Sequence, residues 1–504
     1  MNEVKNSIST VGPELKALLD ELAGTFEARR RALLRQRQEH RARMAAGDVG
    51  FLEATAHIRN GVWRTDPFPD ALAERRVEMI GGATRQELVQ GMNAGAKSYI
   101  ADLYNFTKGD PATIRRAHRH IQRAAFSDLV YMAADGDRMR IAPGNTTRLM
   151  VVPRPLSVEE PSGPVAASLH DLAMLVHHAG HRLVDRQGGV YLYLRDVQTH
   201  LEARWWNEVF DRLEEHMDRP RGAIRATVMI DTVPGAFEAE EILFELLHHS
   251  AGTSFDPQGY TADHISLFHG PDRHVLPDRE RIGLNTVFLR TLSLHLIGVC
   301  HRRGCHAIGA PSFVLPPRDP AKPKAEYLEM LADKEREAVD GHDGTIVVHA
   351  DTVNAAMAEF NKGMPRAHQI DYLRNDPIAP ADLVRRPEGE ITVDSLVGMI
   401  RTAFRTLVHR DTGVSWVVQG GRLHDRSSLR LALRLLWQWN KSEHGVITSS
   451  GLEVHDDLLK YLVRKEGDKM FGDADERTRK AATKAAGVIL DLVTGDAMPS
   501  EPDI

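Results

Sequence analysis

Side chains that could bind a metal ion or a carboxylate recur in this 504-residue chain directly after short apolar runs. The clearest run, residues 226–230, is rich in β-branched residues and ends at Asp231. Such a run is typical of a strand buried on both faces of a parallel sheet. The carboxyl ends of parallel strands share one edge, where chemistry is usually found. Polar residues near the predicted strand ends are Asp102, Asn105, Arg154, Asp196, Asp231, Asp263, Ser312, His349 and Asp351.

These residue types suit one kind of chemistry. Two carboxylates from neighbouring strands, together with water, can bind Mg²⁺, which prefers oxygen ligands. An arginine facing that ion could bind a substrate carboxylate through two parallel hydrogen bonds. Each residue also has a structural interpretation: Asp231 could cap the turn before Phe237, Asp263 could lie in a loop, and Arg154 could form a surface ion pair. The residues alone leave both interpretations open.

Two further clusters favour packing over chemistry. The segment 300–306, CHRRGCH, holds four soft ligands within seven residues, whereas zinc motifs space their ligand pairs apart. His177, His178 and His181 have helical spacing but lack the glutamate of an H-E-x-x-H motif. We therefore predict structural roles for both clusters.

The elements that would position the strand-end residues form a repeating pattern. Eight apolar runs, most of them followed by helical stretches, predict a (β/α)8 barrel, an α/β fold that typically takes about 250 residues. A doubly wound open sheet is the competing fold, but no G-x-G-x-x-G or Walker pattern is complete. The predicted strands are 77–80, 98–103, 149–152, 190–194, 226–230, 264–268, 306–309 and 345–349.

Helical patterns flank the predicted barrel. We predict an N-terminal helical clasp in residues 1–75, the barrel in 76–355 and a C-terminal helical domain in 356–504. A Pro- and Lys-rich loop, 316–330, would lie near the site after the seventh strand. Asp425 or Ser427 could be the N-cap of the strongly apolar helix that follows, and Asp425 could instead be a catalytic base.

Composition narrows the class of partner. A net charge of −6 gives no electrostatic reason to expect nucleic acid or an anionic membrane as a ligand. No apolar run approaches the roughly 20 residues of a membrane-spanning helix, and two cysteines suit a reducing cytoplasm. Neither end carries a recognisable targeting signal. We expect a cytoplasmic protein with small-molecule substrates; the oligomeric state is not predictable from these features.

Several segments give the chain a specific resemblance. From about residue 11 to about 465 it resembles the malate synthase family, in its shorter A-type form. The matching segments are MNAGAKSYIAD (92–102), HLEARWWNEVF (200–210), PRGAIRATVMI (220–230), AFEAEEILFEL (236–246), HSAG (249–252), CHRRG (300–304) and LWQW (436–439).

The resemblance implies a barrel whose active site is covered by a C-terminal helical plug. It also implies a reaction in which acetyl-CoA condenses with glyoxylate and the resulting thioester is hydrolysed. Asp425 falls on the family's catalytic base, and Arg154 on an arginine that stabilises the enolate oxygen. Asp231 and Asp263 fall on the ligands of the Mg²⁺ cofactor.

Departures from the family pattern cluster where the chemistry is expected. The family's I-E-T is I-D-T at 230–232, its D-F-E-D-S is DLYNF at 102–106, and its P-K-M-E is RDVQ at 195–198. R-P-R-G-W-H-L keeps Arg154 but loses Gly-Trp-His, M-E-D-A-A is LHDRS at 423–427, and the loop before Asp263 is predicted to be about four residues longer. The alternatives are therefore a paralogue that uses another 2-oxo acid or acts as a hydroxyacyl-CoA lyase or thioesterase, and a non-catalytic barrel.

Overall fold

The computed structural model describes residues 12–161, 163, 165–270, 275–317, 319, 324–411 and 416–499. Both chain ends that were searched for targeting signals, 1–11 and 500–504, lie outside these residues, as does part of the loop 316–330. Among the described residues, no helix is both long enough and apolar enough to cross a membrane.

Eight parallel strands form the central sheet, and each is almost completely buried. The sheet order is β6-β5-β4-β3-β2-β1-β8-β7, and a bridge between Thr253 and Ala307 brings the two edge strands together. The (β/α)8 barrel is therefore confirmed. The strands are β1 Val77–Gly81, β2 Ser98–Asp102, β3 Arg148–Val152, β4 Val190–Leu194, β5 Ile224–Ile230, β6 Ser250–Phe255, β7 Ile308–Ser312 and β8 Gly344–Val347.

Seven of the eight predicted apolar runs overlap a barrel strand, and one prediction is wrong. Residues 264–268 belong to a helix, while the sixth strand is Ser250–Phe255. This strand contains two serines, a threonine and a glycine, so the apolar pattern does not mark it. Only Asp256 separates β6 from the following helix, which contains Asp263, so the interpretation of Asp263 as a loop residue is wrong.

Helices surround the barrel and cover its carboxyl end. They are α1 Pro13–Ala45, α2 Ala56–Asn60, α3 Arg85–Met92, α4 Pro111–Ala125, α5 Ala167–Leu175, α6 His181–Gln187, α7 His200–His216, α8 Val233–Phe237, α9 Ala239–Glu245, α10 Pro257–Leu267, α11 Val287–Arg303, α12 Ala325–Asp340, α13 Ala350–Gly363, α14 Pro380–Leu383, α15 Val393–Asp411, α16 Arg426–Lys441, α17 Asp456–Phe471 and α18 Glu476–Thr494. The long helix α1 packs against α5, α7 and α10, and α15–α18 pack on one another. The domain boundaries given above stay a prediction.

Helix α16 is held over the carboxyl ends of the strands by backbone contacts. A short hairpin, Val417–Gln419 and Arg422–His424, precedes it and pairs with the segment after β7, where the Leu423 amide donates to Phe313. The Arg426 amide donates to the carbonyl of Asn105, just beyond β2. Helix α16 then buries its apolar face against α10 and α15. These contacts fix Asp425, the residue between hairpin and helix, above the barrel.

Candidate active site

A group of four charged side chains lies where β2, β4, β5 and β6 end. We define Asp102, Arg195, Asp231 and Asp256 as the strand-end cluster, and all four are buried. Arg195 Nη1 lies 2.9 Å from Asp256 Oδ2 and 3.9 Å from Asp231 Oδ2, and Nε lies 3.4 Å from Asp102 Oδ2. One guanidinium is therefore surrounded by three carboxylates from three strands.

Each acid of the cluster uses its two oxygens differently. Asp102 Oδ1 accepts the amides of Tyr104 and Asn105 at 2.7 and 2.8 Å. Asp231 Oδ1 accepts the amide of Asp196 at 3.0 Å. Asp256 Oδ1 caps α10 by accepting the Gln258 and Gly259 amides at 3.0 and 3.2 Å. Backbone amides hold one oxygen of each acid, and the other oxygen faces Arg195.

Burial and like charges perturb the cluster's pKa values. Burial, with Asp196 and Asp256 nearby, raises the pKa of Asp231 to about 7, although Arg195 opposes the rise. Burial also raises the pKa of Asp102. For Arg195, burial disfavours the charged form, but the three carboxylates outweigh it and the pKa lies above the usual value. Arg195 thus stays a cation, while Asp231 is protonated more readily than an ordinary aspartate.

Asp425 lies above the strand-end cluster, at the start of α16. Its Oδ1 accepts the Ser427 hydroxyl at 2.7 Å and the Ser428 amide at 3.0 Å, so the predicted N-cap is confirmed. Its Oδ2 is buried and accepts no hydrogen bond from the described part of the chain. Burial raises its pKa to about 6. The charge of Asp256 adds to the rise, whereas the Ser427 hydrogen bond and Arg195 oppose it. A carboxylate with one anchored and one unoccupied oxygen is suited to removing a proton.

Arg154 has different neighbours from those of Arg195. Its guanidinium donates to both oxygens of Asp171 at 2.9 and 2.7 Å and lies 2.7 Å from Glu160, and all three residues are buried. His118 also bonds Asp171, at 2.9 Å. Arg154 therefore belongs to a buried ion-pair network beside β3, and its surface ion-pair interpretation is wrong.

Asp263 also has partners outside the strand-end cluster. Its Oδ2 accepts the Val233 amide at 2.8 Å, and its Oδ1 lies 2.8 Å from Arg41.

The sequence missed Asp256, the acid that does approach Asp231, although Asp256-Pro257 is a recognisable helix start. The capping interpretation of Asp231 is wrong, because Thr232 caps α8.

Gly259 allows α10 to lie close to Asp231. A Cβ at this position would be 2.8 Å from the Cβ of Asp231, a separation that real side chains do not tolerate. The close approach brings Asp256, at the start of the same helix, to the end of β5. The glycine is thus part of the geometry that assembles the cluster.

Two cavities adjoin this region. One, of about 390 Å³, lies between β7, α12 and the hairpin before α16, and Gln258, His424 and Ser428 line it. The other, of about 890 Å³, lies beside the loop after β2 and is lined by Lys108, Arg154, Arg426 and Lys484. Asp110 and Glu159 also line the second cavity, and Arg154 is paired with Asp171 and Glu160, so the lining carries both signs of charge.

Other potential ligand groups lie outside the cluster. In the described ranges, His118, His170 and Asp171 could approach one metal ion, as could Asp211, Glu214 and His249. In the first group Asp171 already binds Arg154. Cys300 and Cys305 are free and buried, in agreement with the predicted packing role.

A parallel eight-stranded barrel with carboxylates at its strand ends and a covering helix defines the class of (β/α)8-barrel enzymes. The malate synthase TIM-barrel domain model matches residues 152–386. The chain is 34% identical to a malate synthase of Streptomyces clavuligerus over 473 residues, covering 89% of this chain and 85% of the relative. The corresponding figures for a malate synthase of Myxococcus xanthus are 32%, 96% and 90%, and for malate synthase A of Escherichia coli 30%, 95% and 92%. The chain belongs to the malate synthase family, whose members are acyltransferases that use acetyl-CoA.

Proposed function

We propose that this chain condenses acetyl-CoA with glyoxylate, or a related 2-oxo acid, and hydrolyses the thioester product, with Asp425 as the base. One observation carries the proposal: above the strand ends, Asp425 has a buried carboxylate oxygen that accepts no hydrogen bond from the described residues. Its other oxygen is held by Ser427 and Ser428, which fixes the direction of the unoccupied one. Family membership supplies the reaction in which such a base is needed.

In the first step Asp425 removes a proton from the methyl group of acetyl-CoA. The electron pair of that C–H bond forms a C–C bond to the carbonyl carbon of the 2-oxo acid, whose oxygen becomes a hydroxyl after protonation. Water then adds to the thioester carbonyl and the C–S bond breaks, which releases CoA as a thiol and leaves a carboxylate. Proximity contributes much of the acceleration, because the methyl group is a weak carbon acid.

Arg195 supplies positive charge next to this base. Its guanidinium is held in place by Asp102 and Asp256, at 3.4 and 2.9 Å. A fixed guanidinium in a buried site stabilises negative charge that develops on a carbonyl oxygen. The resemblance gives Arg154 the oxyanion role and makes Asp231 and Asp263 metal ligands. Because Arg154 is paired here with Asp171 and Glu160, we assign the oxyanion role to Arg195.

The Mg²⁺ expected from the resemblance requires carboxylate oxygens that face an open position. Asp263 uses its two oxygens for Arg41 and the Val233 amide. The inward oxygens of Asp231 and Asp256 both face Arg195, at 3.9 and 2.9 Å. We infer that the residues present do not fit this ion, and the steps above use none.

The larger cavity offers a route for acetyl-CoA. Lys108 and Lys484 line it together with Arg426, the residue directly after the proposed base. The phosphates of CoA would meet cations there, while the acetyl group extends towards Asp425. A cytoplasmic location, predicted from the cysteine content, is consistent with these soluble substrates.

The test is thiol release from acetyl-CoA, first with glyoxylate and then with a panel of 2-oxo acids. Release with glyoxylate, and malate as product, is the expected result. Release only with another acid would assign the same chemistry to a different acceptor. Silence across the panel, with a folded protein, would refute the proposal and favour a lyase or a binding function.

A further inference from the structure

The guanidinium of Arg195 occupies the point on which the carboxylates of three barrel strands converge. Its polar contacts within the cluster are with Oδ2 of Asp102, Asp231 and Asp256, at 3.4, 3.9 and 2.9 Å. All three acids are held in place through their other oxygen by backbone amides. Three fixed carboxylate oxygens around one point are the kind of donor set that binds a divalent cation.

We propose that Arg195 takes the place of a divalent cation, so that this centre works without a bound metal ion. A cation shared by Asp231 and Asp256 would have to lie between their Oδ2 atoms, where Arg195 Nη1 already lies. The two positive groups would be a few ångströms apart in a buried site, and their repulsion opposes simultaneous binding. Arg195 is anchored by its position directly after β4, and it is itself buried.

The arginine also meets the chemical requirements of the position. A guanidinium is planar, remains charged, and can donate to the carboxylate and the carbonyl oxygen of a 2-oxo acid. The family's P-K-M-E, aligned with RDVQ, has proline at this position and lysine at the next, so the cation of this segment stands one residue earlier here, at Arg195. The inference concerns the site of the proposed function, but whether the cluster binds metal does not depend on which substrate reacts.

Metal binding is measured directly, without substrate, on the full chain after treatment with EDTA and gel filtration. Calorimetric titration and electron paramagnetic resonance with Mn²⁺ would be applied to the wild type, Arg195→Ala, Arg195→Lys and Asp231→Asn. In the wild type we expect no Mn²⁺ site that depends on Asp231. Any Mn²⁺ that the wild type binds should therefore also bind to Asp231→Asn. We expect one additional binding site in Arg195→Ala, because the three carboxylates are then left without their cation, and none in Arg195→Lys. Circular dichroism and thermal unfolding check that each variant is folded.

Wild-type binding of one Mn²⁺ per chain that Asp231→Asn abolishes would overturn the inference. Binding that Asp231→Asn leaves unchanged lies elsewhere, and the inference then stands on the additional site in Arg195→Ala. If Arg195→Ala does not fold, the wild-type and Asp231→Asn titrations still decide. The second readout is thiol release in excess EDTA, measured with the acceptor found active. A fall in activity of more than tenfold that Mg²⁺ reverses would contradict metal independence. A silent substrate panel would refute the proposed reaction and leave the titrations unaffected.

Discussion

Replacing Asp425 with asparagine separates the catalytic role of this residue from its role as a helix cap. Asparagine is about as good an N-cap as aspartate, so the bond to the Ser428 amide is preserved. The change removes the basic oxygen that accepts no hydrogen bond. Because general bases contribute roughly 10²- to 10⁴-fold, we expect kcat to fall by about that factor.

The same variant has a predictable effect on stability. The pKa of Asp425 is about 6 in the folded chain against a usual value of 3.8, so the folded state binds more protons between these values. Stability contributed by this group therefore falls as the pH rises from about 4 to about 6. The two pKa values differ by about two units, which corresponds to at most roughly 3 kcal/mol. Above pH 7 the asparagine variant should be more stable by up to that amount, and near pH 4 equally stable.

The assays are thiol release with the active acceptor, and urea unfolding at pH 4 and pH 8. Asp475→Asn is the matched control, because Asp475 caps α18 through the Thr478 amide at an exposed position. It should leave turnover unchanged. In wild type, kcat/KM should rise with pH through about 6 as Asp425 loses its proton, and the variant should lack this dependence. Turnover of Asp425→Asn above one tenth of wild type would refute the assignment of the base.

Three further substitutions test other parts of the site. Arg154→Met leaves Asp171 buried without its main cation, so urea unfolding should show a free energy of unfolding lower by about 3–5 kcal/mol. The kcat of the folded variant should stay within about tenfold of the wild-type value. A far larger loss of kcat in stable protein would assign the oxyanion role to Arg154. Gly259→Ala places a Cβ 2.8 Å from that of Asp231, so thermal unfolding should report a cost of about 1–3 kcal/mol together with reduced kcat. Unchanged stability and kcat would contradict that packing. Lys108→Ala should raise KM for acetyl-CoA up to about fivefold at constant kcat, and an unchanged KM would exclude this cavity as the CoA route.

The barrel was predictable because seven of its strands overlap a short apolar run in the sequence, whereas β6 does not. Ser250–Phe255 is buried, but its polar side chains contact hydrogen-bonding partners on neighbouring elements. For example, Ser254 donates to the carbonyl of Gly309 and Thr253 contacts Cys300 Sγ. Tertiary contacts of this kind replace hydrophobic burial, and local sequence gives no sign of them. The run 264–268 was mistaken for a strand because a buried helix segment and a buried strand share the same short apolar pattern.

The site was predictable only as far as strand ends indicate position. Asp231 and Asp425 were placed correctly near the carboxyl ends of the strands, since a buried run and a helix start each fix one end of an element. Whether Asp256 or Asp263 approaches Asp231 depends on the length of the connection after β6. The resemblance pointed to Asp263, whereas the direct entry into α10 brings Asp256 there.

The position of Arg195 explains why so many departures from the family pattern occur together. Of the three carboxylates around this guanidinium, only Asp256 is at hydrogen-bonding distance, and Asp102 and Asp231 lie farther back. At the end of β5, aspartate in place of glutamate retracts the carboxylate by one methylene, and here it stands 3.9 Å from Arg195 Nη1. Asp256 supplies a direct partner at 2.9 Å from the start of α10. The shortened acid and the arginine at position 195 are thus consistent with one change, the replacement of one kind of cation by another.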